Sequence, residues 1–284
     1  MAGVLYVVAT PIGNLEDITL RALRVLKEVN LIAAEDTRHT QTLLHHYDIT
    51  TPLTSYHEHN ERNKAAPLIA RLGRGENIAL VSDAGTPAIS DPGYRLIGAA
   101  IRATITVVPI PGASAALAVL SASGLPSDRF TYEGFLPAAK QERRNKLRTL
   151  KGESRTMIFY EAPHRLKESL EDLRQIFGDR EISIGREVSK LHEEFLRGAV
   201  TTVLHELADR HIKGELTLIV HGATAEFAIA EDQLNAEIVR LIAGGSGVKE
   251  ISELIGEWYG LAKREVYRRV LEIKNSKPSR DSGN

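Results

Sequence analysis

An α/β fold built on parallel strands is predicted by three features of the sequence. Short apolar runs of strand length alternate with amphipathic, helix-length segments. The runs stop abruptly in turns rich in Gly, Pro, Asp, Ser and Thr, which is how strands of an open α/β sheet end where they meet a ligand. A composition shift at Gly124-Leu125-Pro126-Ser127-Asp128 separates a first α/β domain, residues 1–123, from a second, 124–222. A small helical end follows at 231–275, and a polar, flexible tail is expected over 276–284.

The bulk properties narrow the classes of function. A chain of 284 residues has room for about two domains. It is 43% hydrophobic and 26% charged, an ordinary soluble composition. The net charge of −1 leaves no global field to attract nucleic acid, so any such surface must be local. The lack of cysteine excludes thiolate chemistry, disulfides and Cys-ligated metal centres. No apolar run reaches membrane-spanning length and no signal-peptide pattern opens the chain, so a cytoplasmic protein without membrane contact is expected.

The first strand is Val4 to Ala9, ending in Thr10-Pro11-Ile12-Gly13-Asn14. Asp17 is read as the cap of a helix through about Val29. Leu31 to Ala34 is the second strand, completing a βαβ unit, and it ends in Glu35-Asp36-Thr37-Arg38-His39. A short helix over Pro67–Leu72 is closed by Gly73 and Gly75. The stretch NIALVSDAGTPAISDPG, Asn77 to Gly93, joins a buried strand to a double turn that carries Ser82, Asp83, Thr86, Ser90 and Asp91. Tyr94 to Arg102 is helical and Thr106 to Pro109 is a strand. Pro111-Gly112-Ala113-Ser114-Ala115-Ala116 follows, with Ser114 at a helix N-terminus.

In the second domain, Phe130 to Leu136 reads as a strand and Lys140–Lys151 as a run of six basic residues and one acidic. Strands are read at Arg155–Tyr160, Glu181–Arg186, Glu193–Arg197 and Leu216–Val220, with helices ending near Gly178 and spanning Val200–Arg210. Gly222–Ala230 is taken as a linker. Asp232 is taken to cap a helix to Ala243, before helices Val248–Tyr259 and Ala262–Lys274 that resemble a helix-turn-helix around Gly260. Lys263 to Arg280 holds seven basic residues against two acidic ones, a candidate nucleic-acid surface.

Two absences also carry information. The first turn lacks the Gly-x-Gly-x-x-Gly of a dinucleotide-binding Rossmann unit. Five of the ten histidines fall within residues 39–64, but no third ligand stands at metal-binding spacing beside His57 and His59. A polar surface segment is the better account of them, and no metal is required.

TPIGN, AEDTRHT, SDAGTPAISDPG, PGASA, YEGFLP, FYEAPHR, GREVSKLHEE and KGE occur in that order. On these motifs the chain resembles the tetrapyrrole-methylase-like class of S-adenosylmethionine (SAM) methyltransferases, and in particular its members that act on small-subunit ribosomal RNA. The resemblance covers nearly all of residues 3–275. It implies two α/β domains with SAM in the cleft between them, S-adenosylhomocysteine as product, and a homodimer. It also implies 2′-O-methylation of a cytidine in the decoding centre of 16S ribosomal RNA. The cofactor residues it suggests are Thr10, Pro11, Ser82, Asp83, Thr86, Ser114, Ala115, Tyr160 and Glu187.

Methyl transfer to a hydroxyl needs alignment and removal of a proton. Asp36, Arg38 and His39 are the catalytic candidates by position and chemistry. Arg143, Arg144 and Lys146, with Lys263, Arg264, Arg268 and Arg269, are the candidates for gripping RNA phosphates. Two other readings stand beside this one at the sequence level: a tetrapyrrole or corrinoid C-methyltransferase using the same cleft, and a non-catalytic ribosome-binding protein.

Overall fold

A computed structural model describes residues 1–223, 225–259 and 261–276. The chain divides into two compact units, Met1–His221 and Gly222–Asn284. The first unit carries two five-stranded sheets.

The first sheet uses β1 (Val4–Val8), α1 (Leu20–Glu28), β2 (Leu31–Ala34), α2 (Thr37–His46), β3 (Leu53–Ser55), α3 (Glu61–Gly73), β4 (Ile78–Val81), α4 (Tyr94–Arg102), β5 (Thr106–Ile110) and α5 (Ala115–Ala122). Strand order is β3-β2-β4-β1-β5, with every pair parallel. Successive side chains leave opposite faces of a strand, and here both faces are covered. Ile32, Ala34, Ala79 and Val81 pack with Ala22, Val25 and Leu26 of α1 and Leu44 of α2. Leu31, Ala33, Ile78 and Leu80 pack with Leu68 and Leu72 of α3 and with Leu96 and Ala100 of α4. That is why β2 and β4 are buried at every position.

The second sheet uses β6 (Phe130–Phe135), α6 (Lys140–Thr149), β7 (Thr156–Glu161), α7 (Leu166–Phe177), β8 (Glu181–Arg186), β9 (Glu194–Ala199), α8 (Val200–Glu206) and β10 (Leu216–Val220). Its order is β6-β7-β10-β8-β9, with β6 parallel to β7 and the remaining pairs antiparallel. Leu147, Leu170, Leu173 and Val203 from its three helices cover one face, against Met157, Phe159, Ile184 and Leu218. The other face, with Ile158 and Ile219, is covered by Ala116, Val119 and Leu120 of α5. Helix α5 therefore closes the first sheet's topology and seals the second sheet's core.

In the second unit, α9 (Ala225–Ala243), α10 (Val248–Tyr259) and α11 (Lys263–Ser276) share a core of Leu234, Ile238, Ile251, Ile255, Val266 and Val270. The Gly260 turn and the tail from residue 277 lie outside the described residues.

Several local expectations are corrected. Asp17 closes a one-turn 3₁₀ segment, Leu15–Asp17, and the N-cap of α1 is Thr19, whose hydroxyl accepts from the Ala22 N–H at 3.1 Å. Both residues suit a cap; the one two positions later satisfies the helix. Helix α3 begins at Glu61, so Pro67 lies inside it. Helix α8 stops at Glu206 rather than Arg210. Helix α9 starts at Ala225 within the segment read as a linker, so Asp232 is not its cap.

The correction with most consequence is Arg143. Residues 143 and 147 stand four apart on α6 and share its inward face. The Arg143 guanidinium, 1% exposed, donates from Nε to Asp172 Oδ2 at 2.8 Å and from Nη1 to the Ala138 carbonyl at 3.3 Å. It is a core ion-pair residue and has no surface to offer RNA. Arg144 Nε donates to the same Asp172 at 2.7 Å, and Lys146 Nζ donates to Glu133 at 2.5 Å. The basic run is largely neutralised by acids of its own domain.

Removing one partner of a buried ion pair leaves the other uncompensated, at a cost of about 3 kcal/mol or more. Arg143→Met is expected to lose that much in urea unfolding, and Asp172→Leu added to it to recover part of the loss. Parental stability in Arg143→Met would show that the pair plays no part in the core.

Candidate active site

Three loops leave the C-terminal edge of the first sheet, after β1, β4 and β5, and are tied together there. Thr10 and Gly85 exchange backbone hydrogen bonds, Thr10 N to Gly85 O at 2.9 Å and Gly85 N to Thr10 O at 3.0 Å. The Thr10 hydroxyl donates to the Ser82 carbonyl at 3.3 Å, and the Thr86 hydroxyl to the Ala113 carbonyl at 3.4 Å. Gly85 has φ +77°, a conformation that a side chain disfavours. A second tie joins the ends of β2 and β4: the Asp36 N–H donates to Asp83 Oδ1 at 2.9 Å, and the Asp83 N–H to Glu35 Oε2 at 3.3 Å.

Between this edge and the second sheet lies a cleft of about 330 Å³. Ile12, Ala84, Gly85, Thr86, Ile89, Ser90 and Asp91 line it from the first loops, and Ser114 and Ala115 from the start of α5. Phe135, Tyr160 to Pro163, Gly185, Val188 and Gly214 to Thr217 line it from the second sheet. Mostly apolar walls with a few placed polar groups are the usual form of a small-molecule site.

The polar groups differ sharply in freedom. Glu161 is 2% exposed and fully engaged, accepting from the Ala162 N–H at 2.8 Å, from Ser169 Oγ at 2.5 Å and from Arg165 Nη2 at 2.9 Å. Glu215 meets Lys190 Nζ at 3.2 Å. Ser90 Oγ and Tyr132 OH share a hydrogen bond of 2.6 Å that joins the double turn to the second sheet, and the Tyr132 and Tyr160 rings meet edge to face at 5.4 Å. Burial raises the Tyr160 phenol above its ordinary value, with Tyr132 adding to the effect. Burial first, and then repulsion from Glu35, pushes the Asp91 carboxyl up to about 6, against a hydrogen bond from Ser82. Burial likewise raises Glu35.

Of the residues suggested for the cofactor, Thr86, Ser114, Ala115 and Tyr160 line the cleft. Thr10 and Ser82 are buried behind its wall, where they hold the loops together, and Pro11 adjoins the lining residue Ile12. Asp83 turns toward the end of β2 instead, its carboxylate satisfying a backbone N–H there. The Glu187 carboxylate accepts from Lys190 Nζ at 2.8 Å and the Glu215 N–H at 2.9 Å, which holds it below the usual carboxylate range.

Asp36, Arg38 and His39 are not among the cleft-lining residues. Asp36 caps α2 by accepting from the Arg38 N–H at 2.8 Å. It also chelates the Arg38 guanidinium, which holds its carboxyl below the ordinary range. His39 is exposed on α2. His57 and His59 lie after β3 rather than in a strand, with rings 6.0 Å apart, and among the described residues no group of three metal-ligating side chains is present.

Ser90 and Asp91, polar residues of the double turn, also line the cleft. Glu161 to Pro163, Gly185, Val188 and Gly214 to Thr217 join the site without having been singled out individually in the sequence. Their signal is their place in or beside β7, β8 and β10, with Glu161 to Pro163, Gly185, Val188, Gly214 and Glu215 inside the motifs quoted above.

A family model described as "Tetrapyrrole (Corrin/Porphyrin) Methylases" matches residues 4–204. The chain belongs to this family of SAM-dependent methyltransferases. It is 48% identical over 275 residues to the ribosomal RNA small subunit methyltransferase I of Synechocystis sp., covering 96% of this chain and 99% of that one. It is 50% identical over 270 residues to the protein of the same name from Halalkalibacterium halodurans, covering 93% of each. The crystal structure of uroporphyrin-III-C-methyltransferase from Thermus thermophilus shares the fold, with TM-score 0.55, 22% identity, and 76% and 94% of the two chains covered.

The raised Asp91 carboxyl has a consequence for stability. Its folded pKa, about 6, lies above its ordinary value of 3.8, so the folded state holds more protons between those values. Stability contributed by the protonated form is complete below about pH 4 and lost as pH rises through about 6. At pH 7 the ionised group is a cost. Asp91→Asn is therefore expected to raise stability at pH 7 by about 1 kcal/mol, solvent screening holding the gain well below the full shift. The gain should fade at pH 4 in thermal melts. A variant less stable than the parent at pH 7 would contradict this.

Proposed function

We propose that the cleft binds SAM and that the protein transfers its methyl group to the 2′-hydroxyl of a cytidine in the decoding centre of 16S ribosomal RNA. The reading is supported first by the cleft itself, an apolar slot at the loop edge of the first sheet with donors and acceptors at both ends. The small subunit as target follows from the relatives, which carry that activity in their names over nearly the whole chain. A homodimer in the cytoplasm is part of the same reading. Among the described residues no helix is long and apolar enough to cross a membrane.

The residues present fit SAM. Ile12, Val188 and Phe135 offer apolar area for an adenine ring, and the first turn of α5, at Ser114 and Ala115, offers backbone N–H groups to a carboxylate. The sulfonium supplies an already activated methyl group, so the protein's share is to orient the ribose oxygen in line with it and to accept a proton.

For the RNA grip, the exposed face of α11 is the better candidate of the two basic runs. Lys263, Arg264, Arg268 and Lys274 are exposed on it, with Tyr267 among them at 45% exposure. Lys263 and Arg268 pair with the exposed acids Glu253 and Glu272, and such pairs exchange readily for phosphate. Arg269 is directed to the adjoining helix, pairing with Glu231 and with Asn235 at 2.8 Å.

Titration calorimetry with SAM, followed by tritium transfer to small ribosomal subunits and primer-extension mapping, tests the whole reading. SAM binding with no transfer to small subunits would overturn the RNA assignment. Ala115→Trp fills the cleft from the start of α5 and should weaken SAM binding tenfold or more without unfolding the protein; undiminished affinity would place SAM elsewhere. Changing Lys263, Arg264 and Arg268 to Ala should leave SAM affinity unchanged. It should lower affinity for subunits and flatten the log–log salt dependence by about two units, since each phosphate contact contributes slightly less than one. An unaltered salt slope would mean that α11 does not hold the RNA.

A further inference from the structure

Methyl transfer to a ribose hydroxyl needs a proton acceptor, and three carboxylates line the cleft: Asp91, Glu161 and Glu215. Glu161 has both oxygens occupied by Arg165, Ser169 and the Ala162 N–H. Glu215 lies beside Lys190 with its side chain 74% exposed. Asp91 is half-buried and has no cation among the groups that act on it. Two carboxylates just outside the cleft are also committed, Asp83 to the Asp36 N–H and Glu187 to Lys190 and the Glu215 N–H.

The loop that carries Asp91 is built to hold it in place. Ala88 and Ser90 have φ of +70° and +63°, conformations that residues with side chains adopt at a cost. Gly93 has φ +142°, and a Cβ there would stand 2.9 Å from Leu80 Cδ2 in the core. Ser90 is pinned from the opposite side by the Tyr132 phenol at 2.6 Å. Strain anchored at both ends is characteristic of a loop that positions a functional group.

We propose that Asp91 is the catalytic base that takes the 2′-hydroxyl proton. This rests on the ribose-methylation reading above. As the ribose oxygen bonds to the methyl carbon, the carbon–sulfur bond breaks and its electron pair stays on sulfur, giving S-adenosylhomocysteine. The hydroxyl proton passes to an Asp91 carboxylate oxygen, and one positive and one negative charge are consumed together. The acid so formed returns its proton to water when product leaves.

The surroundings suit this role. Glu35 and Asp83, from the ends of β2 and β4, repel the ionised form, the Ser82 side chain favours it, and Tyr132 and Tyr160 face it from the second sheet. A carboxylate with a pKa of about 6 is a stronger base than a solvated one and is still ionised at pH 7. The neighbouring sulfonium, when bound, moves this value downward.

The test uses the full-length protein and Asp91→Asn, with calorimetry for SAM, single-turnover tritium transfer to small ribosomal subunits from pH 5 to 9, and thermal melts. The variant should bind SAM within about threefold of the parent, melt no lower at pH 7, and transfer methyl about a hundredfold or more slowly. The parent rate should fall at or below about pH 6, and the variant should lose that limb. Glu35→Gln, which keeps an oxygen for the Asp83 N–H, should move the limb to lower pH without abolishing it. A variant with parental rate and an intact acid limb overturns the assignment. So does a rate loss matched by an equal loss of SAM affinity, which would make Asp91 a cofactor ligand. A parent that binds SAM but methylates no small-subunit RNA overturns the functional reading itself, and the assignment with it.

Discussion

Helix α5 leaves the last strand of the first sheet and packs on the second, and the site depends on that docking. Its Ala116, Val119 and Leu120 seal Ile158 and Ile219 of the second sheet, so the two halves share one wall of core. The approach is close enough to constrain the sequence. A Cβ at Gly185 would stand 2.5 Å from Val119 Cγ2, inside any tolerable contact. Because the N-terminus of the same helix carries Ser114 and Ala115 into the cleft, the packing that holds the halves together also sets the cleft's width.

The loops at the sheet edge are held by a different means. They have little apolar area to bury, so their shape comes from hydrogen bonds between loops distant in sequence. The Thr10–Gly85 exchange, the Thr86–Ala113 contact and the Asp83 links to Glu35 and Asp36 span four strand ends. Ser82, Asp83 and Thr10 are necessary to the site's shape while standing behind its surface.

The charge pattern shows the same division between composition and placement. A run of cations reads as a nucleic-acid surface only if acids from elsewhere in the fold leave it alone. On α6 they do not: Asp172 takes up both Arg143 and Arg144, and Glu133 takes up Lys146. On α11 the inward positions go to Val266 and Val270, and most of the cations stay outside.

Most strand positions, the parallel first sheet and the family motifs were legible in the sequence, because they depend on local apolar period and on turn residues adjacent in the chain; the three-residue edge strand β3 was not, being too short to show a period. Asp17 and Thr19 show the limit even there, since two good capping residues two positions apart differ only in which one the packed helix can use. Which aspartate faces the cleft was not legible. Asp36, Asp83 and Asp91 all sit in turns after apolar strands, and nothing local distinguishes them. Tertiary structure decided among them: Arg38 and the Asp36 N–H claim the first two, and the strained turn at Ala88 and Ser90 leaves the third facing the cleft. Local chemistry determined which residues could serve, and contacts between residues far apart in the chain, which no local pattern encodes, determined which were left free to do so.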